Sequence, residues 1–326
     1  MRINKLHKEL AEQILTFLES KNQFLLSAHV NADGDAIASV VAVGLLLDQM
    51  GKKYHMLLHD AIIDSRFSYL ENFDKIHTYN RTMHLPIEAA VIMDVPGLKR
   101  LGNIQKILPD RAKIARIDHH PTEDDFAAFS FTDVSASSTT QLVYEILEVA
   151  GVKISSEMAH AIYTGIVYDT GRFSFSNTKA RDMYICGKMI EAGVEPSFIT
   201  NRIFFENSFE GIRTIGRGLA KMESYLDDTV NVIYLDNKTM CRDHQGEIEE
   251  LANYSVAIRG GKVGVFIREL QPRFHKVSLR TKVDVDVNRI AKSFGGGGHI
   301  KAAGCRIEGT KREVIKRLLS EIKKQL

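Results

Sequence analysis

Four short apolar runs in the first two hundred residues each end on an aspartate or a histidine, with helix-like segments between them. The runs are Phe24–His29, Tyr54–His59, Ala89–Asp94 and Lys113–Asp118. Ala36–Met50, between the first two, has helical spacing and is closed by Gly51; Ser137–Ala150, Ser155–Tyr168 and Lys179–Ala192 also read as helices, the first and last stopping at Gly151 and Gly193. Such alternation predicts an α/β fold with a mostly parallel sheet and helices on both faces. Parallel strands deliver their carboxyl ends to one edge, so the Asp and His residues that close these runs are expected to converge there.

Around Pro196–Gly216 the pattern breaks, and beyond it Val230–Leu235, Lys262–Leu270 and His275–Thr281 look like strands of a mixed sheet. Gly246–Ile258 reads as a helix, and Val314, Ile315, Leu318, Leu319 and Ile322 form the core-facing stripe of a last one. The expected organisation is a larger domain over 1–200, a linker over 201–214 and a smaller α/β domain over 215–326, the two facing across a cleft. Charge divides similarly. Residues 1–209 carry 21 Lys and Arg against 26 Asp and Glu, whereas 210–326 carry 22 against 15. An acidic half suits cations and a basic half an anionic substrate.

No run of eighteen apolar residues occurs, so no membrane span is expected. At the amino terminus Leu6, Leu10, Ile14 and Leu18 fall on one helical face, unlike a signal peptide. Cys186, Cys241 and Cys305 are too scattered for a disulfide framework or thiolate metal site, which fits a cytoplasmic protein. No basic tract of the kind that grips long duplexes is present.

Hard-metal ligands gather in four clusters: His29, Asp33 and Asp35 in HVNADGD; Asp94 in VIMD; Asp118-His119-His120; and Asp169 in VYDTGRF. Aspartate and histidine without thiolate favour manganese, magnesium, cobalt or a catalytic zinc. Any one cluster alone is more often a turn or a helix cap; their joint occurrence at successive strand ends changes that. Asp33, Asp35, Asp94 and Asp169 bring four negative charges, which two divalent cations neutralise and one does not. Ser137-Ser138-Thr139 reads as a capped helix start. Gly295–Gly298 would let backbone N–H groups approach a phosphate, with His299 and Arg280 as further anion contacts.

HVNADGDAIAS, VIMD, IDHH and VYDTGRF resemble, in order, the four motifs of the DHH phosphoesterase superfamily, and SFGGGGHIKAAG resembles the GGGH signature of its associated carboxyl-terminal domain. The resemblance spans essentially the whole chain and is greatest to the bifunctional oligoribonuclease (nano-RNase)/pAp phosphatase group. It implies two divalent metals, manganese before magnesium or cobalt. His29, Asp33 and Asp94 would hold one, and Asp35, Asp94, His119 and Asp169 the other. Asp118 would orient a histidine, His120 would lie beside the scissile phosphate, and Arg100 would contact a phosphate. Gly296, Gly297, Gly298, His299 and Arg280 would bind substrate.

The implied substrates are short oligonucleotides and nucleotide 3′,5′-bisphosphates, with neither long duplexes nor membranes as partners and room for a homodimer. A cyclic or linear dinucleotide phosphodiesterase is the alternative enzyme. A non-catalytic nucleotide sensor is the alternative of another class, disfavoured by the complete ligand set.

Overall fold

The computed structural model describes residues 3–239 and 247–326, which fall into two compact units, Met1–Phe205 and Glu206–Leu326. Cys241 and Gly246 lie outside the described residues; Cys186 and Cys305 are buried free thiols. No helix among the described residues is long and apolar enough to cross a membrane.

The first unit is built on a six-stranded, all-parallel sheet. Its strands are β1 (Gln23–Ser27), β2 (Lys53–Leu58), β3 (Ile76–Thr78), β4 (Ala89–Met93), β5 (Ile114–Asp118) and β6 (Phe129–Thr132), in the order β3-β2-β1-β4-β5-β6. The order reverses between β1 and β4, the topological switch point beside which open α/β sheets bind ligands. Alternation along the strands separates two cores. Phe24, Leu26, Val91, Met93, Ala115 and Ile117 pack with the helices α1 (Lys5–Glu19), α2 (Gly34–Gln49), α3 (Thr139–Ala150), α4 (Ser156–Asp169) and α5 (Ala180–Glu191). Leu25, Ala90, Ile92 and Ile114 meet Leu101 and Ile104 of a 3-10 segment, Leu98–Ile107. The expectation of helices on both faces is thus corrected, because 3-10 turns and loops cover the second face.

α2 is buried from Gly34 to Leu47, sandwiched between the sheet and α4, which explains its lack of a polar face. Asp33 caps it, its side chain accepting from the N–H groups of Asp35 and Ala36. Of the stripe on α1, Ile14 and Leu18 are buried and Leu10 packs against the core. Leu6 is exposed, and the buried face is His7, Ala11, Ile14, Phe17 and Leu18. His7 can be buried because its two ring nitrogens meet Glu145 at 2.5 Å and Asp133 at 3.1 Å.

The second unit has a mixed six-stranded sheet, β11-β12-β10-β9-β8-β7. Its strands are β7 (Glu223–Tyr225), β8 (Val230–Leu235), β9 (Val263–Gln271), β10 (Phe274–Thr281), β11 (Gly297–Gly298) and β12 (Ala302–Glu308); only β8 and β9 pair in parallel. Its helices are α7 (Phe209–Ala220), α8 (Glu250–Val256), α9 (Val287–Lys292) and α10 (Lys311–Lys323), after α6 (Pro196–Thr200) of the first unit. α10 buries Val314, Ile315, Leu318 and Ile322 and opens with a Thr310/Glu313 capping box. Of the segment 201–214, Asn201–Phe205 is a π-helical turn closing the first unit, and the remainder opens the second and includes the start of α7.

Candidate metal centre

His29 lies just past β1, Asp33 and Asp35 frame the start of α2, Asp94 follows β4, Asp118 ends β5, His119 comes next, and Asp169 ends α4. The switch-point edge brings them together. Ligand atoms of His29, Asp33 and Asp94 lie within 4.8 Å of one another, and so do those of Asp35, Asp94 and His119. Asp94 belongs to both groups. Its backbone adopts φ of 60°, a left-handed conformation that disfavours most side chains and that aspartate tolerates better than most.

Both histidines are aimed the same way. His29 Nδ1 faces the Val30 carbonyl at 2.9 Å, turning Nε2 toward Asp94 (3.2 Å) and Asp33 (3.8 Å). His119 Nδ1 faces the Ala136 carbonyl at 3.4 Å, turning Nε2 toward Asp169 (3.1 Å), Asp94 (3.5 Å) and Asp35 (3.9 Å). A backbone carbonyl that accepts a hydrogen bond from one ring N–H leaves the other nitrogen as a lone-pair donor, the arrangement of a metal-binding imidazole. The Val30 N–H in turn donates to the Arg100 carbonyl at 2.7 Å, which ties down the His29 loop.

Asp35 is held by the amino terminus of α3. Its oxygens accept from the N–H of Thr139 (2.6 Å), the N–H of Thr140 (3.0 Å) and Thr140 Oγ1 (2.7 Å), while Thr139 Oγ1 donates to Asp94 at 2.9 Å. Ser138 caps α3 through the Gln141 N–H, as the sequence implied. The aspartate contacts of the next two threonines are invisible in sequence, because a helix start reads the same whether or not a carboxylate docks on it. Gly165 is a second hidden contributor: a Cβ there would lie 2.3 Å from Thr140 Oγ1 and 2.5 Å from Asp35 Oδ1.

Crowding of buried carboxylates shows in their protonation. Burial, then the charges of Asp169 and Asp94, push Asp35 well above the ordinary carboxylate range. Burial likewise pushes Asp169 up to about 6, against the pull of His119. Burial opposes ionisation of Asp94 too, but His120 and His29 hold it well below its usual value. Burial opposes protonation of His29 and His119, and their carboxylate neighbours outweigh it and raise both. Protein groups alone balance this cluster only by sharing protons, whereas divalent cations would neutralise it. Oxygen and imidazole donors without thiolate, with both Nε2 atoms directed inward, fit such cations.

His120 stands beside this set. Its Nδ1 is 2.9 Å from Asp118 Oδ1 and 3.3 Å from Asp94 Oδ1, and its backbone N–H also donates to Asp118. Burial lowers its pKa, but the Asp94 charge and the Asp118 hydrogen bond raise it further, to about 9. Asp118 Oδ2 is buried without a hydrogen-bond partner among the described residues.

The Arg100 side chain is exposed on the 3-10 segment. In the second unit, His299 occupies a tight turn after β11, its N–H donating to Ala302 and its carbonyl accepting from Ala302. Arg280 stands next to last in β10, in register with Ala302, and donates to Asn253 at 3.1 Å. The expectation that the glycine N–H groups face a phosphate is corrected at Gly296, whose N–H donates to the Ala291 carbonyl at 2.9 Å. Gly296 and Gly298 are needed for packing: a Cβ would lie 2.1 Å from the Gly304 carbonyl oxygen at one and 2.6 Å from that of Ala302 at the other.

Comparison with known proteins agrees with both units. The DHH family N-terminal domain matches residues 23–166, and the DHHA1 domain matches 231–326. The chain is 26% identical over 304 residues to the bifunctional oligoribonuclease and PAP phosphatase NrnA of Thermus thermophilus, covering 92% of this chain and 89% of that protein. It is 26% identical over 302 residues to the protein of the same name from Bacillus subtilis, covering 90% and 92%. Among solved structures, an exopolyphosphatase-related protein from Bacteroides fragilis superposes with a TM-score of 0.89 at 26% identity, covering 99% of this chain and 98% of that one. With a DHH domain carrying the aspartate–histidine cluster and a DHHA1 domain carrying the glycine hairpin, the chain belongs to the DHH phosphoesterase family.

Proposed function

We infer that this phosphoesterase hydrolyses very short oligoribonucleotides and removes the 3′-phosphate of pAp, in the cytoplasm and with two divalent cations, manganese foremost. The observation that carries the reading is the pair of buried donor groups sharing Asp94. The names of the Thermus and Bacillus relatives support the substrate class. His29, Asp33 and Asp94 would hold one cation, and Asp35, Asp94, His119 and Asp169 the other. When bound, such a pair lowers the pKa of a water and steadies the attacking and leaving oxygens of a phosphoryl displacement.

The chain's own groups do the rest. Val30 and Ala136 carbonyls fix the tautomers of His29 and His119, so that Nε2 stays a donor of electrons. Thr139 and Thr140 hold Asp35, and Thr139 also holds Asp94, by hydrogen bonds. Asp118 orients His120 through Nδ1, which reserves Nε2 for a phosphate oxygen or a leaving hydroxyl. His299, Arg280 and Arg100 are assigned to phosphate oxygens by charge-assisted hydrogen bonds.

The test is a hydrolysis panel in manganese with pAp, 5′-phosphorylated dinucleotide, RNA of graded length and cyclic dinucleotides, each repeated with excess chelator. Rapid, chelator-sensitive turnover of pAp and two- to five-residue RNA is expected. Preference for a cyclic dinucleotide would replace the substrate reading. Nucleotide binding without turnover would make the protein a sensor.

A further inference from the structure

Two residues after Asp169 the backbone turns through three successive left-handed residues, Gly171, Arg172 and Phe173, with φ of 53°, 62° and 63°. Two of these are not glycine, and such conformations persist where the surroundings over-determine them. The turn lays the exposed Arg172 guanidinium over the rings of Phe204 and Phe205, with Cζ 4.8 and 5.6 Å from their centroids. Phe204 lies nearly parallel to Tyr168, at 20° and 6.2 Å between centroids. The Tyr168 ring in turn fills the space beside Gly34, where a Cβ would lie 2.5 Å from it. A continuous ladder therefore runs from the Asp33-Gly34-Asp35 turn through Tyr168, Phe204 and Arg172 to Phe205. Its outer ring is 62% exposed, on a π-helical turn of the kind that recurs at functional sites.

An isolated exposed phenylalanine would be unremarkable. This one is joined by stacked rings and a cation to the residues that frame the candidate metal centre. Guanidinium and aromatic faces together suit a flat π-system attached to a phosphate backbone, and stacking on them is tolerant of sequence because every base offers a face. We propose that Arg172 and Phe205, backed by Phe204 and Tyr168, form a shelf on which a nucleobase neighbouring the reacting phosphate stacks. The shelf would set the preference for substrates with a second base. This rests on the short-oligonucleotide reading above and adds to it which residues read the base.

The test compares wild type, Phe205→Ala and Phe205→Tyr in the full-length, manganese-loaded protein on a 5′-phosphorylated diadenylate and on its counterpart lacking one base. Phe205→Ala should raise KM for the diadenylate about tenfold with kcat near wild type, the loss of one base stack, and Phe205→Tyr should restore it. The wild-type preference for the diadenylate over the abasic substrate should shrink by the same factor. A second readout is quenching of a 2-aminopurine dinucleotide with a non-hydrolysable linkage, which should weaken about tenfold in Phe205→Ala. Unchanged KM and quenching would overturn the shelf, and so would an equal loss on the abasic substrate. If wild type hydrolysed no dinucleotide, the activity reading would fail by itself, and Phe205-dependent quenching would still support the shelf.

Discussion

Asp94 concentrates the chemistry of the molecule in one side chain. It is shared by both donor groups, bonded by Thr139 and faced by three histidines. Asp94→Ala is therefore expected to abolish turnover and to lower the manganese content of the purified protein, measured by elemental analysis. Wild-type-like activity at saturating manganese would refute a shared ligand. Gly165 gives a subtler prediction. Gly165→Ala pushes a methyl into Thr140 and Asp35, so kcat should fall by at least tenfold in a protein that still folds, as circular dichroism and turnover together would show. The aspartates and histidines that converge at this edge stood out in the sequence because they close apolar runs, follow one within a few residues, or end a helix. Gly165, Thr139 and Thr140 were not, since a glycine inside a helix and a threonine at its start carry no mark of what docks on them from a hundred residues away.

At the scale of elements, the edge of the parallel sheet positions the ligands and the β11–β12 hairpin positions His299. Gly296→Ala would force a methyl onto the Gly304 carbonyl, and overpacking of this kind typically costs about 1–3 kcal/mol. A lowered melting temperature by calorimetry, with metal content unchanged, is the expected outcome. His299→Ala and Arg280→Ala should leave both stability and metal content near wild type. Each should reduce kcat/KM on phosphorylated substrates about ten- to a hundredfold, the loss of one charge-assisted hydrogen bond; normal kinetics in both would remove them from phosphate binding. β1, β2, β4 and β5 were readable as apolar runs, but β3 and β6 are short edge strands with half-exposed positions and gave little pattern. On α1 only the first position departs from the apolar stripe: His7 is buried in place of Leu6, because periodicity counts apolar side chains and the partners of this histidine lie far along the chain.

For the whole molecule, the near-balanced charge of +2 predicts how substrates of different length should respond to salt. Long strands gain affinity by releasing counterions from many phosphates, which makes binding steeply salt-dependent. A protein that takes hold of one or two phosphates and a base should prefer two- to five-residue RNA and show a shallow slope. Measuring kcat/KM for a dinucleotide and a twenty-four-mer across a salt series decides this: a steep slope with preference for the longer strand would reject the length assignment and leave the metal chemistry untouched.

The donors also come from widely spaced stretches of chain, from His29 after β1 to Asp169 at the last turn of α4. An ion bound by these groups would act as a rivet through the first unit. Any partial opening that lifts α4 off α2 must first surrender a ligand, so the amides of α4 should exchange with solvent more slowly as free manganese rises. The sheet of the second unit supplies none of these donors, and its amides should exchange at a rate indifferent to the metal.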